Sequence, residues 1–119
     1  MDEPQALAAF AALAQEHRLR LVRSLVTAGP DGMASGVLAD AVGVSAATVS
    51  HHLKELSHAG LVASRREGRS IIYSAVYPVL SDLIAFLMRD CCQGHPEVCA
   101  PAMAALANCC PPNGETACA

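Results

Sequence analysis

Apolar residues recur at helical spacing along the first part of the chain: Leu7, Phe10, Ala11 and Ala14, then Leu19, Val22, Leu25 and Val26. Arg18, Arg20 and Arg23 fall mostly off the second stripe. The pattern predicts helix over residues 3–27, as one helix or two. Pro4, behind Asp2 and Glu3, suits a first turn, where a missing N–H is harmless and acids meet the positive end of the helix dipole. Gly29-Pro30-Asp31-Gly32 is a stop and a turn. After Met33-Ala34, Ser35 is the expected N-cap of a helix over residues 36–42, which Gly43 ends. Ser45 caps the next helix, which runs to Ala59 and stops at Gly60.

These last two helices are separated only by Gly43-Val44-Ser45. On the second, Val49, Leu53 and Leu56 share one side, the expected core face. Ala47, Ser50, His51, Lys54 and His58 share the other, and its small leading residues permit close approach to a grooved partner. A tight pair of helices with this division reads as a helix-turn-helix DNA-binding unit. Beyond Gly60 the period changes. Residues 61–66 and 70–77 read as two strands around Glu67-Gly68-Arg69, with Arg65, Arg66 and Arg69 at the tip, a wing placed to meet phosphates. Pro78 then opens a last helix carrying Val79, Leu80, Leu83, Ile84, Leu87 and Met88, more apolar surface than one small domain needs. The expected fold is mainly α with a small β-hairpin, a winged helix-turn-helix forming a homodimer through its N- and C-terminal helices.

Composition sharpens this picture in three ways. At 119 residues the chain fits one domain, and 23 alanines favour close helix packing over a thick sheet core. The net charge is −3, yet residues 17–70 carry Arg18, Arg20, Arg23, Lys54, Arg65, Arg66 and Arg69 against Asp31, Asp40, Glu55 and Glu67, a local balance of +3. No apolar run approaches the roughly 18–20 residues of a membrane span. Asp2 and Glu3 stand where an export signal would be basic, which predicts a cytoplasmic chain without a membrane partner. There is no nucleotide-binding glycine motif and no acid–base pair, so an enzyme or an organic cofactor is not expected.

The run Ser45-Ala46-Ala47-Thr48-Val49-Ser50-His51-His52-Leu53-Lys54-Glu55-Leu56, followed by Ala59-Gly60-Leu61-Val62, resembles the recognition helix and following strand of the ArsR/SmtB family of metal-responsive repressors. Arg66-Glu67-Gly68-Arg69 with Tyr73 is similar to that family's wing, and His17-Arg18-Leu19-Arg20-Leu21 to its second helix. The resemblance covers residues 5–90. It implies a homodimer that binds an imperfect palindrome in operator DNA and releases it when a metal or metalloid binds. Carried over by position, Thr48, Ser50 and His51 approach base edges or nearby phosphates, with Lys54, Arg65, Arg66 and Arg69 on the backbone; Ser45 and Ala47 complete the expected DNA-contact set. Two departures matter. The helix before the recognition helix, Gly36-Val37-Leu38-Ala39-Asp40-Ala41-Val42, lacks the Cys-x-Cys pair of familiar arsenic sensors. The last helix has Asp82 but Ile84 where the family's zinc sensors need histidine.

The inducer chemistry therefore falls to the cysteines. All six lie in residues 91–119, which contain no Lys or Arg, so the chain divides into a DNA-binding and dimerisation domain, 1–90, and a thiol-rich tail, 91–119. Cys91-Cys92 with Cys99, and Cys109-Cys110 with Cys118, are two sets of a pair plus one. Soft thiolates select soft or borderline ions. Trivalent arsenic or antimony takes three sulfurs in a pyramid, whereas structural zinc takes four ligands from separated pairs. The expected site for As(III) or Sb(III) is Cys91, Cys92 and Cys99, with Cys109, Cys110 and Cys118 as an auxiliary set. Some arsenic sensors resembling this chain place a Cys-Cys pair and a third Cys at the end of the last helix. A thiol-redox or Cd/Zn-responsive repressor on the same fold is the alternative.

Overall fold

The computed structural model describes residues 1–88, 100–101 and 104–105. The N-terminal helical region is two helices, α1 (Glu3–Leu13) and α2 (Glu16–Ala28). A capping box starts α1: the Asp2 carboxylate accepts the Gln5 N–H at 2.9 Å and the Gln5 side chain accepts the Asp2 N–H at 2.9 Å. Gln15 restarts the chain as α2, its side-chain oxygen accepting the Arg18 N–H at 2.9 Å. The inward face of α1 is Ala6, Ala9 and Ala12, all buried, while Leu7 is 61% exposed and Phe10 37%. Alanines let α1 lie close to its neighbours and turn its bulkiest side chains outward. In α2 the buried set is Leu21, Val22 and Leu25; Leu19 and Val26, expected on the same stripe, are exposed.

After the turn comes β1 (Met33–Ala34), a strand the residue pattern did not announce, then α3 (Ser35–Val42) and α4 (Ala46–His58). The N-cap of α3 is Ala34, and no side chain caps it. Ser35, the expected cap, is already the first helical residue, because β1 pairs with the sheet up to Ala34 and delivers the backbone straight into the helix. Gly43 ends α3 in the left-handed conformation, φ 79° and ψ 32°, as its position predicted.

The wing is β2 (Val62–Glu67) and β3 (Ser70–Ala75), antiparallel from Val62↔Ala75 to Glu67↔Ser70 around the Gly68-Arg69 turn. The sheet has the order β1-β3-β2, with Met33 opposite Tyr73 and Ala34 opposite Ile72. Val62 is buried and the rest of β2 is exposed, so the hairpin leaves the core at its root. The strand expected to reach Tyr77 ends at Ala75, and Tyr77 begins α5 (Tyr77–Met88), where the Tyr77 hydroxyl donates to the Val26 carbonyl at 3.5 Å.

The core is Leu21, Leu25, Leu38, Val49, Leu53, Leu56 and Leu61, each fully buried and worth roughly 1.5–3 kcal/mol of transfer free energy. By packing, the chain divides into two units, residues 1–83 and 84–119. Leu83 is buried in the first, and Ile84 and Leu87 are exposed in the second. Among the described residues no helix is long and apolar enough to cross a membrane.

Candidate nucleic-acid interface

The two faces of α4 are sharply different. Val49, Leu53 and Leu56 are fully buried, as their spacing predicts, against exposed Ala47, Ser50, His51 and Lys54. Ser45 and Thr48, also candidates for DNA contact, are engaged with one another. The Ser45 hydroxyl accepts the Thr48 N–H at 3.2 Å and lies 2.8 Å from the Thr48 hydroxyl. That geometry closes the N-terminus of the helix and fixes its first turn.

A groove is lined by Ser35 and Asp40 of α3, Ser45 and Ala46 at the start of α4, and Arg69 and Ile71 of the wing. The starts of α3 and α4 thus line one groove, with Arg69 and Asp40 both on its wall.

The three wing arginines are not equivalent. Arg69 stands in the Gly68-Arg69 turn and Arg66, opposite Ile71, is exposed. Arg65, expected at the tip, lies further down, opposite Ile72. Its Nε donates to Glu67 Oε1 at 3.0 Å and its guanidinium donates to the Asp31 carbonyl at 2.6 Å. Strand register decides this: the tip is a two-residue turn, so Arg65 sits two pairs behind it and reaches the loop before β1.

Sequence reasoning missed His52. It is 8% exposed, on the core side of α4, and Arg18 Nε–H donates to its Nδ1 at 3.2 Å. Burial first, then the positive charge of Arg18, then His17 and His51, hold its pKa below the ordinary 6.5. The signal was present in the spacing, since 49, 52, 53 and 56 complete one helical stripe. The cysteines Cys91, Cys92, Cys99, Cys109, Cys110 and Cys118 lie outside the described residues. Among the described residues no group of three His, Cys, Asp or Glu side chains is placed to hold a metal ion.

Comparison with known proteins agrees with the geometry. A helix-turn-helix domain family matches residues 13–65. The HTH-type transcriptional regulator Rv0081 of Mycobacterium tuberculosis is 36% identical over 76 residues, 64% of this chain, and the match spans 65% of the length of that protein. The cadmium resistance regulatory protein CadC of Listeria innocua is 35% identical over 72 residues, 60% of this chain and 59% of that one. The structure of an ArsR-like transcriptional regulator from Rhodococcus sp. RHA1 superposes with a TM-score of 0.66 at 28% identity, covering 87% of this chain and 91% of that chain. A possible transcriptional regulator for arsenical resistance superposes with a TM-score of 0.60 at 30% identity, covering 76% of this chain and 92% of the other.

Proposed function

Since the chain belongs to the ArsR family of winged-helix transcriptional regulators, we propose that it is a cytoplasmic repressor that binds operator DNA as a homodimer and lets go when As(III) or Sb(III) binds Cys91, Cys92 and Cys99. The observation that carries DNA binding is the exposed face of Ala47, Ser50, His51 and Lys54, opposite buried Val49, Leu53 and Leu56, together with exposed Arg66 and Arg69 in the wing. Lys54, Arg66 and Arg69 take phosphates; Ser50 and His51 reach base edges in the major groove. Leu7 and Phe10 of α1 supply exposed apolar surface for a second copy, and Ile84 and Leu87 of α5 are exposed as well. A two-fold dimer presents two copies of α4, which matches an imperfect palindrome.

The phosphate contacts can be measured separately. Lys54→Ala and Arg69→Ala are each expected to weaken binding of a fluorescent duplex a few-fold and to lower the slope of log affinity against log salt by about 1. Anisotropy titrations across salt concentrations check this.

The inducer assignment rests on the clustering of every cysteine in residues 91–119 and on the preference of trivalent arsenic for three thiolates. Similarity to a regulator named for arsenical resistance supports it. Similarity to CadC favours a second reading, Cd(II) on the same thiols. Closing a ring from Cys99 onto Cys91-Cys92 alters the backbone that follows α5, and in the dimer that change moves the two α4 helices apart from their DNA spacing. Coupling of about 1–3 kcal/mol corresponds to roughly 5- to 150-fold weaker DNA binding.

The test is arsenite, antimonite, Cd(II), Zn(II) and peroxide titrated in parallel into the protein–DNA complex. Arsenite is expected to release the parent and to leave the Cys91→Ser, Cys92→Ser, Cys99→Ser triple variant on DNA. Release of that variant at the parent's arsenite concentration overturns the site. Release by Cd(II) or peroxide alone replaces the inducer.

A further inference from the structure

Resting on the DNA-binding reading above, we propose that His52 is the positioning residue of the recognition helix: as a neutral imidazole it ties α4 to the start of α2 through Arg18, so that DNA binding weakens when the imidazole gains a proton.

The contact spans 34 residues of sequence, and its chemistry is specific to one protonation state. Arg18 Nε–H is the donor at 3.2 Å, so His52 Nδ1 must be the acceptor and the ring proton must sit on Nε2. Protonating Nδ1 would set two donors and two positive charges against each other. His52 is the one buried polar side chain among the described residues, sitting in the stripe between Val49 and Leu56. It therefore cannot turn away to water without unseating that face of α4.

The other end of the contact is held too. The Arg18 N–H is fixed by the Gln15 cap at 2.9 Å, and the Gln15 amide lies 3.3 Å from His17 Nδ1. The His17 and His52 rings are 5.7 Å apart, as are those of His51 and His52. The restart of α2, the buried imidazole and the exposed His51 are thus one connected group. On the far side of the helix turn from His52 stand Ala47, Ser50 and Lys54, so a change in how the imidazole is seated shifts the DNA face.

The charges around His52 come from few elements. Arg18 and His17 on α2 and His51 on α4 act on it. The adjoining cleft is lined by Ala8, Ala11, Ala12, Arg18, Glu55 and His58, so α1 brings no charge there. Of the other elements packed on α4, α3 carries Asp40 and β2 carries Arg65, Arg66 and Glu67. Because the folded protein resists protonation more than the unfolded chain does, the unfolded state binds more protons once the pH falls below about 6.5. The seat of α4 is intact above that value and is lost progressively below it.

The exposed histidines complicate a simple pH titration, since protonating His51 or His58 strengthens attraction to phosphate. A pairwise comparison removes that effect. The probe is a fluorescent duplex enriched from a random-sequence pool by the parent protein. His52→Gln keeps an acceptor for Arg18 and cannot be protonated; His52→Leu keeps the volume and loses the acceptor.

The parent and His52→Gln are expected to bind within about threefold of one another near pH 7.5, and His52→Leu about tenfold more weakly. Near pH 5.5 the parent is expected to fall a few-fold below His52→Gln, less than the roughly tenfold an imidazole at the ordinary 6.5 would give. A parent-to-Gln ratio that does not change with pH, or a His52→Leu protein that binds like the parent, overturns the proposal. Imidazole nitrogen shifts of the parent by NMR test it without any variant. A neutral ring protonated on Nε2 near pH 7.5 supports it, and one protonated on Nδ1 overturns it. Failure to enrich any duplex would instead overturn the DNA-binding reading, while the NMR outcome would still stand for the Arg18 contact.

Discussion

Exchanging Gly32 for alanine is expected to cost about 3 kcal/mol of stability, a large share of what a domain of this size has. Two effects add. Gly32 has φ +74°, where an L residue is strained by roughly 1–2 kcal/mol. A methyl group there would also run into the Tyr73 carbonyl oxygen and come within 3.0 Å of Ile72 Cγ2. Neither neighbour can step aside, because Tyr73 and Ile72 are the β3 partners of Met33 and Ala34. The turn before them is closed by the Gly32 N–H donating to the Gly29 carbonyl at 3.1 Å, and it also presents the Asp31 carbonyl to Arg65. The variant therefore damages the root of the wing, and DNA affinity should drop even at temperatures where it stays folded. Thermal and urea unfolding at one protein concentration measure the stability loss, with concentration held fixed because the proposed dimer would couple folding to association. Gly36→Ala, in α3 with open space around the added carbon, is the matched control and should be neutral or slightly stabilising.

Leu53→Ala is expected to cost about 3–4 kcal/mol, in the middle of the range for emptying a well-packed leucine site. Leu53 is fully buried, and α4 is packed by α1, α2, α3 and β2, so collapse into the void would require several elements to move together. The loss should appear as a lower urea midpoint with an unchanged slope, the signature of a change in stability alone. Its neighbour Lys54 points the other way and is exposed, so Lys54→Ala should leave the midpoint nearly unchanged while reducing DNA affinity. One helix would thus separate folding from binding at adjacent positions. A parallel loss at both positions would mean that the two faces of α4 are not independent.

The helix-turn-helix was legible because its signals are local. Ser45 caps, Gly43 terminates, and the Val49, Leu53, Leu56 spacing selects one side of a helix whatever packs against it. The hairpin was legible for the same reason, through a change of period beyond Gly60 and a turn at Gly68. The cysteine clustering and the local basic balance were matters of position along the chain, readable without any fold.

Tertiary structure decided what depends on partners far away in sequence. Two residues, Met33-Ala34, have too short a pattern to announce a strand; only pairing with Tyr73 and Ile72 makes them one, and that pairing displaces the cap from Ser35 to Ala34. Leu19 and Leu21 are alike as residues, and the packing of α2 chose Leu21 for the core. Arg65 differs from Arg66 and Arg69 because strand register sets it back beside Asp31. His52 looked like one more polar residue in a polar run until α2 placed Arg18 against it. A sequence fixes periodicity, caps and turns within a few residues, since these are hydrogen bonds and steric limits of the local backbone. Which of two similar side chains is buried, and which charge is spent on a structural contact, is settled only when distant elements close over it.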